Sequence, residues 1–130
     1  MFGVTNYGIT IVELLSFQND ADKIFNDQER EDLSDFISAN PYFGDVIPGT
    51  GGIRKLRWRA RGSGKRGGAR VIYYFRDLNM PVFLLAVYAK GEKMNLTMHE
   101  RELMQRIVES LVREQAAKSI YRLAMRGEQA

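Results

Sequence analysis

The sequence contains no cysteine, and its only histidine is His99. Without cysteine the chain forms neither a disulfide nor a thiolate metal site, so a reducing compartment, by default the cytoplasm, is the expected setting. One histidine also excludes a two-histidine acid–base pair and a histidine-rich metal site within a single chain. His99 lies in the first turn of a predicted helix, where a protonated side chain would oppose the helix dipole, so we interpret it as a surface residue. We expect no metal and no other cofactor.

Long apolar runs are absent as well, since no stretch reaches the roughly 18 residues that a membrane-spanning helix needs. No basic residue precedes the first apolar stretch and no small-residue cleavage signal follows it, so neither secretion nor a membrane location is expected. The 130 residues, 45% of them hydrophobic, suffice for one core. We predict a leader over residues 1–8 that is irregular or added by cloning, one domain over residues 9–115, and a helical extension over residues 116–130.

Acidic residues are missing from residues 46–76, a segment that contains nine basic residues. The rest of the chain holds 10 basic and 16 acidic residues, a local balance of −6, whereas the whole chain carries +3. A concentrated positive patch on an otherwise acidic protein suits a polyanionic partner such as nucleic acid. A basic hairpin that is merely solvated is the alternative, and it stays open at this point.

The residues before this basic segment predict a strand and two helices. Residues 9–15 are apolar and β-branched, as is typical of a strand, and apolar side chains recur at helical spacing over residues 17–25. Asn26 and Glu29 form a capping-box pattern that predicts the start of a second helix. Pro41 predicts its end, because the residue before a proline avoids helical geometry. Residues 41–52 carry two prolines and four glycines and predict a loop.

The basic segment itself predicts two strands, residues 53–60 and 69–76, joined by a glycine-rich hairpin loop over residues 61–68. In the first strand Leu56 and Trp58 alternate with basic residues, so we expect one apolar face and one cationic face. The same cationic face is expected to continue onto the second strand.

A third strand is predicted over residues 82–89, where the sequence is apolar almost throughout, as in a central strand. Alternation places Tyr88 and Lys90 on the polar face of this strand. The opposite, apolar face is predicted to carry Phe83, Leu85 and Val87.

A long C-terminal helix is predicted to start at the capping box of Thr97 and Glu100. Its apolar positions form one stripe that can cover the sheet. The stripe consists of Leu103, Met104, Ile107, Val108, Leu111 and Val112. The predicted fold class is therefore α+β, with two N-terminal helices, a sheet and a C-terminal helix.

Gly62, Gly64 and Gly67 match the spacing of a dinucleotide-binding loop, but their setting does not support that function. They join two predicted antiparallel strands, and no helix follows them to hold a pyrophosphate at its N-terminus. We therefore interpret them as hairpin residues.

The polar face of the predicted sheet collects side chains that suit phosphate chemistry. They are Lys55, Arg57, Arg70, Tyr74, Tyr88 and Lys90. Guanidinium groups match phosphate oxygens and can hold charge that develops at phosphorus, while tyrosine rings can stack on unpaired bases. One lysine can act as a general base without histidine, because crowded positive charges favour the neutral amine. Strand parity favours Tyr73 as a core residue and only slightly favours Tyr74 as a surface residue.

Several segments of the chain resemble HigB-type toxins of the RelE/ParE superfamily, over roughly residues 9–111. The segments are Asn40-Pro41, Gly44-Asp45-Val46-Ile47-Pro48-Gly49-Thr50-Gly51-Gly52, Arg54-Lys55-Leu56-Arg57, Gly64-Lys65-Arg66-Gly67-Gly68, Arg70-Val71-Ile72-Tyr73-Tyr74-Phe75 and Tyr88-Ala89-Lys90. The resemblance implies a small RelE-like fold with a twisted antiparallel sheet. It also implies a ribosome-dependent mRNA endonuclease and a cognate HigA-like helix-turn-helix antitoxin, with a higher-order toxin–antitoxin complex on operator DNA.

In RelE toxins the 2′-hydroxyl of the substrate attacks the adjacent phosphate, and arginines, lysines and a tyrosine carry the chemistry without a metal. By this resemblance the arginine that opens a strand falls on Arg70, and the basic residues of the preceding strand fall on Lys55 and Arg57. Lys90 occupies the basic position at the end of the last strand. The further residues assigned to RNA binding are Arg59, Lys65, Arg66 and Tyr74.

The chain departs from the RelE pattern after Lys90. The pattern has a further arginine next and a tyrosine shortly beyond it, whereas this chain has Gly91 and Thr97. Those roles are vacant or are reassigned to Lys90 and Tyr88, which leaves the catalytic base open. Two other functions also stay open: inhibition of a DNA topoisomerase by binding, as in ParE-like toxins, and a degenerate toxin that acts only as an antitoxin partner or corepressor.

Overall fold

The computed structural model describes residues 9–60, 68–92 and 95–129. These residues form an α+β fold, as predicted, with three helices and one five-stranded sheet. In chain order the elements are β1 (Ile11–Glu13), α1 (Leu15–Ile24), α2 (Asp27–Ala39), β2 (Asp45–Val46), β3 (Ile53–Trp58), β4 (Ala69–Tyr74), β5 (Val82–Ala89) and α3 (Met98–Gln129). The predicted leader and residues 61–67 of the predicted hairpin loop, including Lys65 and Arg66, lie outside the described residues.

The sheet has the strand order β1-β5-β4-β3-β2. Strands β2 to β5 pair in antiparallel fashion, whereas β1 pairs with β5 in parallel. The sheet is therefore mixed, and the expectation of a wholly antiparallel sheet is wrong at this one edge. The parallel pair follows from the connection, because the two helices after β1 carry the chain across the sheet before β5 is formed.

Both predicted capping boxes are present. The Asn26 side chain accepts a hydrogen bond from the Glu29 backbone at 2.8 Å, and the Glu29 carboxylate accepts one from the Asn26 backbone at 2.9 Å. Thr97 and Glu100 make the same reciprocal pair at 3.1 and 2.9 Å. Each box satisfies backbone N–H groups that a helix start otherwise leaves without partners.

Two hydrophobic clusters pack against opposite faces of the sheet. One contains Phe17 of α1 and Leu33 of α2, packed with sheet residues that include Tyr73. The other contains Ile72 of the sheet and Val108 of α3. Thus α1 and α2 cover one face and α3 covers the other, so the face expected to be cationic carries a second core along much of its length.

A β-bulge between β4 and β5 decides which side chains of β5 lie on each face. Ile72 pairs with Ala86 but Tyr73 pairs with Leu84, so Leu85 is an extra residue, and its carbonyl accepts a hydrogen bond from the Ser16 hydroxyl at 2.8 Å. An extra residue shifts the alternation of the strand.

This shift corrects the predicted faces of β5. Phe83 and Leu85 pack on the α3 side together with Tyr88, whereas Val87 packs on the α1–α2 side. The prediction grouped Phe83, Leu85 and Val87 opposite Tyr88, which is wrong because strict alternation does not anticipate a bulge.

The long C-terminal helix is confirmed, although only part of its predicted stripe packs. Met104, Val108, Leu111 and Val112 contact the α3-side cluster, as predicted. The two remaining residues of the predicted stripe, Leu103 and Ile107, are exposed. The helix continues without a break beyond residue 115, and the extension over residues 116–130 stays a prediction. No helix within the described residues combines the length and apolar composition that crossing a lipid bilayer requires.

Candidate active site

Three neighbouring strands place Arg57, Arg70 and Tyr88 side by side. Arg57 of β3 pairs with Arg70 of β4, which pairs in turn with Tyr88 of β5. Residues that pair directly in a sheet point to the same face, with Cβ atoms about 4.5–5.5 Å apart. The structure therefore brings together three of the predicted site residues, which are widely separated in the sequence.

Lys55 extends this arrangement along β3, because it lies two residues before Arg57 and so points to the same face. Its register partner is Ile72, a member of the α3-side cluster, which identifies the face as the one that α3 covers. The Lys55 ammonium donates a hydrogen bond to the Asn95 side chain at 3.2 Å. Asn95 precedes α3, so the entry to this helix lies beside the basic residues of the sheet.

Lys90 lies at the other side of the arrangement, directly after β5. Its backbone N–H donates to the Gly68 carbonyl at 3.1 Å, which anchors it beside the start of β4, and its side chain is exposed. It follows Tyr88 by two residues and so shares its face by alternation. We call Lys55, Arg57, Arg70 and Lys90 the cationic cluster.

Gly68 keeps β3 and β4 close together where the cationic cluster forms. Its φ of 76° is in the left-handed region, and a Cβ added there would lie 2.3 Å from the Trp58 carbonyl oxygen. Only glycine tolerates this combination of backbone angle and close approach. The strand pairing that aligns Arg57 with Arg70 begins at this contact, because Trp58 pairs with Ala69.

The cationic cluster has no acidic partner within the described residues. Arg57 and Lys90 make no side-chain ion pair or hydrogen bond there, and Arg70 makes only a 3.4 Å contact with the carbonyl of its neighbour Ala69. Like charges that face each other across a strand pair destabilise a sheet. An arrangement of this kind becomes favourable when an anion such as a phosphate lies against it.

The two predicted site tyrosines are buried, which corrects part of their assignment. Tyr74 is 7% exposed and packs with Ile53 and Phe83 at the end of the sheet remote from Arg70. Its predicted surface location is wrong, because Tyr74 packs in the α3-side cluster and its ring lies next to Gly52 in the loop before β3. Tyr88 lies beside Arg70 but is 5% exposed, so its ring is not available for a base to stack on.

Tyr73 is a core residue, as strand parity favours, and it has a structural role. Its hydroxyl donates to the Pro41 carbonyl and accepts from the Gly44 backbone, both at 2.9 Å. Burial raises the pKa of the Tyr73 hydroxyl above its ordinary value. These bonds fasten the loop after α2 to the face of the sheet opposite the cationic cluster.

The remaining predicted RNA-binding residues are Arg59, Lys65 and Arg66. Arg59 is exposed just after β3 and makes no side-chain bond within the part of the chain that the structure describes. Lys65 and Arg66 fall outside that part. His99 is exposed, as predicted. Across the described ranges, no three His, Cys, Asp or Glu side chains lie close enough together to hold a metal ion.

Sequence reasoning missed Asn95, the hydrogen-bond partner of Lys55. The two residues are separated by 40 positions, and Asn95 lies in a short irregular segment without a local motif. Its neighbour Leu96 is buried in the α3-side cluster, which holds the segment against the sheet. Only the packing of α3 reveals this contact.

Known protein families supply an independent comparison. Residues 47–128 match the family described as the RelE toxin of the RelE/RelB toxin–antitoxin system. The match spans more than half of the chain and includes β3, β4 and β5, and therefore the whole cationic cluster. The chain therefore belongs to the RelE toxin family of toxin–antitoxin systems.

Proposed function

We propose that the protein is a HigB-type RelE toxin that cleaves messenger RNA on the translating ribosome. The observation that carries this proposal is the pairing of Arg57 with Arg70 in a cluster of basic side chains without acidic partners in the described chain. A cluster of this kind is suited to the phosphodiester backbone of a nucleic acid. Family membership supports a toxin, and the chemistry of the cluster supports RNA as its target.

The proposed reaction uses the substrate's own nucleophile. The 2′-hydroxyl of a ribose loses its proton and its oxygen forms a bond to the adjacent phosphorus. The bond from phosphorus to the 5′-oxygen of the next nucleotide breaks, and that oxygen takes up a proton. The products are a 2′,3′-cyclic phosphate and a 5′-hydroxyl, so neither water nor a cofactor is consumed.

Within this reaction Arg70 stabilises the negative charge that develops on the phosphate oxygens. It is partly buried between Arg57 and Tyr88, which holds its guanidinium in place and strengthens its electrostatic effect. Arg57 is more exposed and binds the phosphate in the ground state as well as in the transition state. Lys55 and Lys90 lie to either side and are the two candidates for proton transfer.

Tyr88 acts in this proposal as a positioning residue for Arg70. Its burial leaves no room for a stacked base, but its place beside Arg70 restricts the directions that the guanidinium can take. Arg59, together with Lys65 and Arg66 of the hairpin loop, supplies electrostatic attraction and contacts to the RNA backbone.

The partner in this proposal is a HigA-like helix-turn-helix antitoxin, and the two proteins form a higher-order complex on operator DNA. The family description names an antitoxin for this class of toxin. The site of action is the cytoplasm, because that is where ribosomes translate messages.

The test is to map the ends of cellular RNA after expression of the wild-type protein and of Arg70→Ala. New ends within translated messages are expected for the wild type. Cleavage should fall by about 100- to 1000-fold in the variant, the size of effect found when one oxyanion-stabilising donor is removed. Arg76→Ala is the matched control, because Arg76 follows the same strand but is exposed and weakly paired with Asp77 at 3.9 Å.

Intact messages together with DNA damage would contradict the nuclease and would instead favour an inhibitor of a DNA topoisomerase. A folded wild-type protein that binds its antitoxin but arrests no growth would mark a degenerate toxin. Equal cleavage by Arg70→Ala and the wild type would remove Arg70 from the mechanism while leaving RNA cleavage intact.

A further inference from the structure

Arg101, at the end of the first turn of α3, has surroundings unusual for an arginine. Within the described residues, its buried Nε atom has no hydrogen-bond partner and its guanidinium forms no ion pair. Burial of part of a permanently charged group without a partner is unfavourable, because the hydration that it loses is not replaced. An arginine in this state is suited to receive an anion that is not part of the chain.

The helical position of Arg101 directs it toward the sheet. It precedes Met104 by three residues and Val108 by seven, and both of these side chains pack against the α3-side cluster. Residues at these spacings lie on one face of a helix. Arg101 therefore continues the sheet-facing stripe of α3 toward the N-terminal end of the helix.

The course of α3 puts this end near the cationic cluster. The helix entry is held there by Asn95, which bonds Lys55, and by the buried Leu96. Further along the helix, Gln115 lines a cavity together with Asn79 of the β4–β5 turn, which lies at the opposite end of the sheet. Arg101 thus belongs to the end of α3 that begins beside Lys55.

We propose that Arg101 is a further RNA-binding residue, which contacts a phosphate of the bound message from the α3 side while the cationic cluster contacts it from the sheet. This inference rests on the proposed function. A guanidinium presents several N–H donors in a planar fork that matches phosphate oxygens, so one added phosphate can balance the charge of this partly buried side chain. The binding site is then a cleft between the sheet and α3.

The competing interpretation is that Arg101 is purely structural and covers the α3-side cluster with its aliphatic carbons. The two interpretations predict different results for Arg101→Ala. A covering role predicts loss of stability without a specific change in RNA binding. An RNA-binding role predicts unchanged or higher stability, because an unpartnered group is removed, together with weaker binding.

The experiment compares the full-length wild type with Arg101→Ala, Arg101→Lys and the control Arg106→Ala. Arg106 lies on the same helix and has the same charge, but its side chain is exposed. Binding to a short single-stranded RNA with 2′-O-methyl groups, which block cleavage, is measured as a function of salt. Message cleavage in a translation extract and thermal unfolding are measured on the same proteins.

Arg101→Ala should bind the RNA about 10- to 100-fold more weakly, as expected for loss of a hydrogen bond to a charged group. The slope of log affinity against log salt should become shallower by about 0.7, the value for one lost phosphate contact on a single strand. Arg101→Lys should recover part of the affinity, Arg106→Ala should resemble the wild type, and all four proteins should unfold at similar temperatures.

Equal RNA affinity and salt slope for Arg101→Ala and Arg106→Ala would overturn the proposal, as would a loss of affinity that only accompanies unfolding. A wild type that binds the RNA but cleaves no message would contradict the proposed function alone, because the binding measurement still decides the role of Arg101. A wild type that neither binds nor cleaves would contradict both.

Discussion

Arg30 and Arg70 are both partly buried arginines, and they differ in what surrounds the guanidinium. Arg30 of α2 forms a two-point hydrogen bond with Glu13 at 2.7 and 3.0 Å and also pairs with Asp22. The hydrogen bond with Glu13 raises the pKa of Arg30 above its ordinary value. Arg70 faces another arginine and a tyrosine, and no carboxylate pairs with it in the described chain.

The difference separates a structural arginine from one that we propose to act on RNA. Arg30 ties β1, α1 and α2 together, and its charge is balanced within the fold. Arg70 and its basic neighbours have no carboxylate partner among the described residues, so their arrangement reduces stability unless an anion binds. Residue type and burial alone do not distinguish the two arginines; the presence or absence of a carboxylate partner does.

The largest structural effect is expected where the cationic cluster depends on backbone geometry. Gly68→Ala places a Cβ at a φ of 76° and 2.3 Å from the Trp58 carbonyl oxygen. We expect a loss of about 2–4 kcal/mol in the free energy of unfolding, because the left-handed angle is unfavourable for alanine and the backbone must shift. Urea unfolding measures this loss.

Cleavage by Gly68→Ala should fall by more than its loss of folded protein explains, because the pairing of Arg57 with Arg70 is disturbed. Gly49→Ala is the control, since Gly49 also has a positive φ of 76° but has open space around its Cα. It should lose stability for the backbone angle alone and keep its cleavage rate per folded molecule. Equal loss of cleavage in both variants would mean that the close approach of β3 and β4 at Gly68 is not what cleavage depends on.

The sequence predicts the parts of this fold that depend on near neighbours. Asn26 with Glu29 and Thr97 with Glu100 form capping boxes because each box involves residues only three positions apart. That Arg57 and Arg70 share one face follows from alternation on two predicted strands, and the α+β class follows from the order of the elements.

The remaining features depend on tertiary packing, which local patterns do not describe. The bulge at Leu85 changes the face of Val87, and the path of α3 buries Tyr74. The same path brings Asn95 to Lys55 and directs Arg101 toward the sheet. Each of these requires knowing where one element lies on another, so the basic face of the sheet was predictable but the placement of α3 beside it was not.

Tyr73 lies on the face of the sheet opposite the cationic cluster, where substitutions should change stability and not cleavage. Tyr73→Phe removes the hydroxyl that bridges Pro41 and Gly44, so we expect a loss of about 1–3 kcal/mol with the cleavage rate per folded molecule unchanged. The substitution should also change how the free energy of unfolding falls at alkaline pH.

Burial raises the pKa of Tyr73, so above the ordinary value of about 10 the folded state keeps a proton that the unfolded state releases. Wild-type stability is therefore fully present below about pH 10 and falls as the pH rises through the raised pKa. Tyr73→Phe should show a shallower decline in this range when unfolding is followed at several pH values. An unchanged decline would mean that another group controls it.

The smallest expected effect concerns the salt dependence of RNA binding. Arg57→Ala should make the slope of log affinity against log salt shallower by about 0.7, because one phosphate contact is lost from a single strand. Arg30→Ala should leave the slope unchanged, because Glu13 and Asp22 already balance that charge. Titration of a labelled RNA at several salt concentrations measures both slopes. Equal slopes for the two variants would mean that Arg57 does not contact a phosphate of the RNA.

The central claim is tested most directly by measuring unfolding free energy and message cleavage together for Arg30→Ala and Arg70→Ala. Arg30→Ala should lose about 1–3 kcal/mol, since Glu13 is left unpaired, and should cleave within about twofold of the wild type per folded molecule. Arg70→Ala should keep its stability within about 0.5 kcal/mol or gain slightly, while cleavage falls by about 100- to 1000-fold. A destabilised Arg70→Ala whose cleavage falls only with its folded fraction would contradict the account.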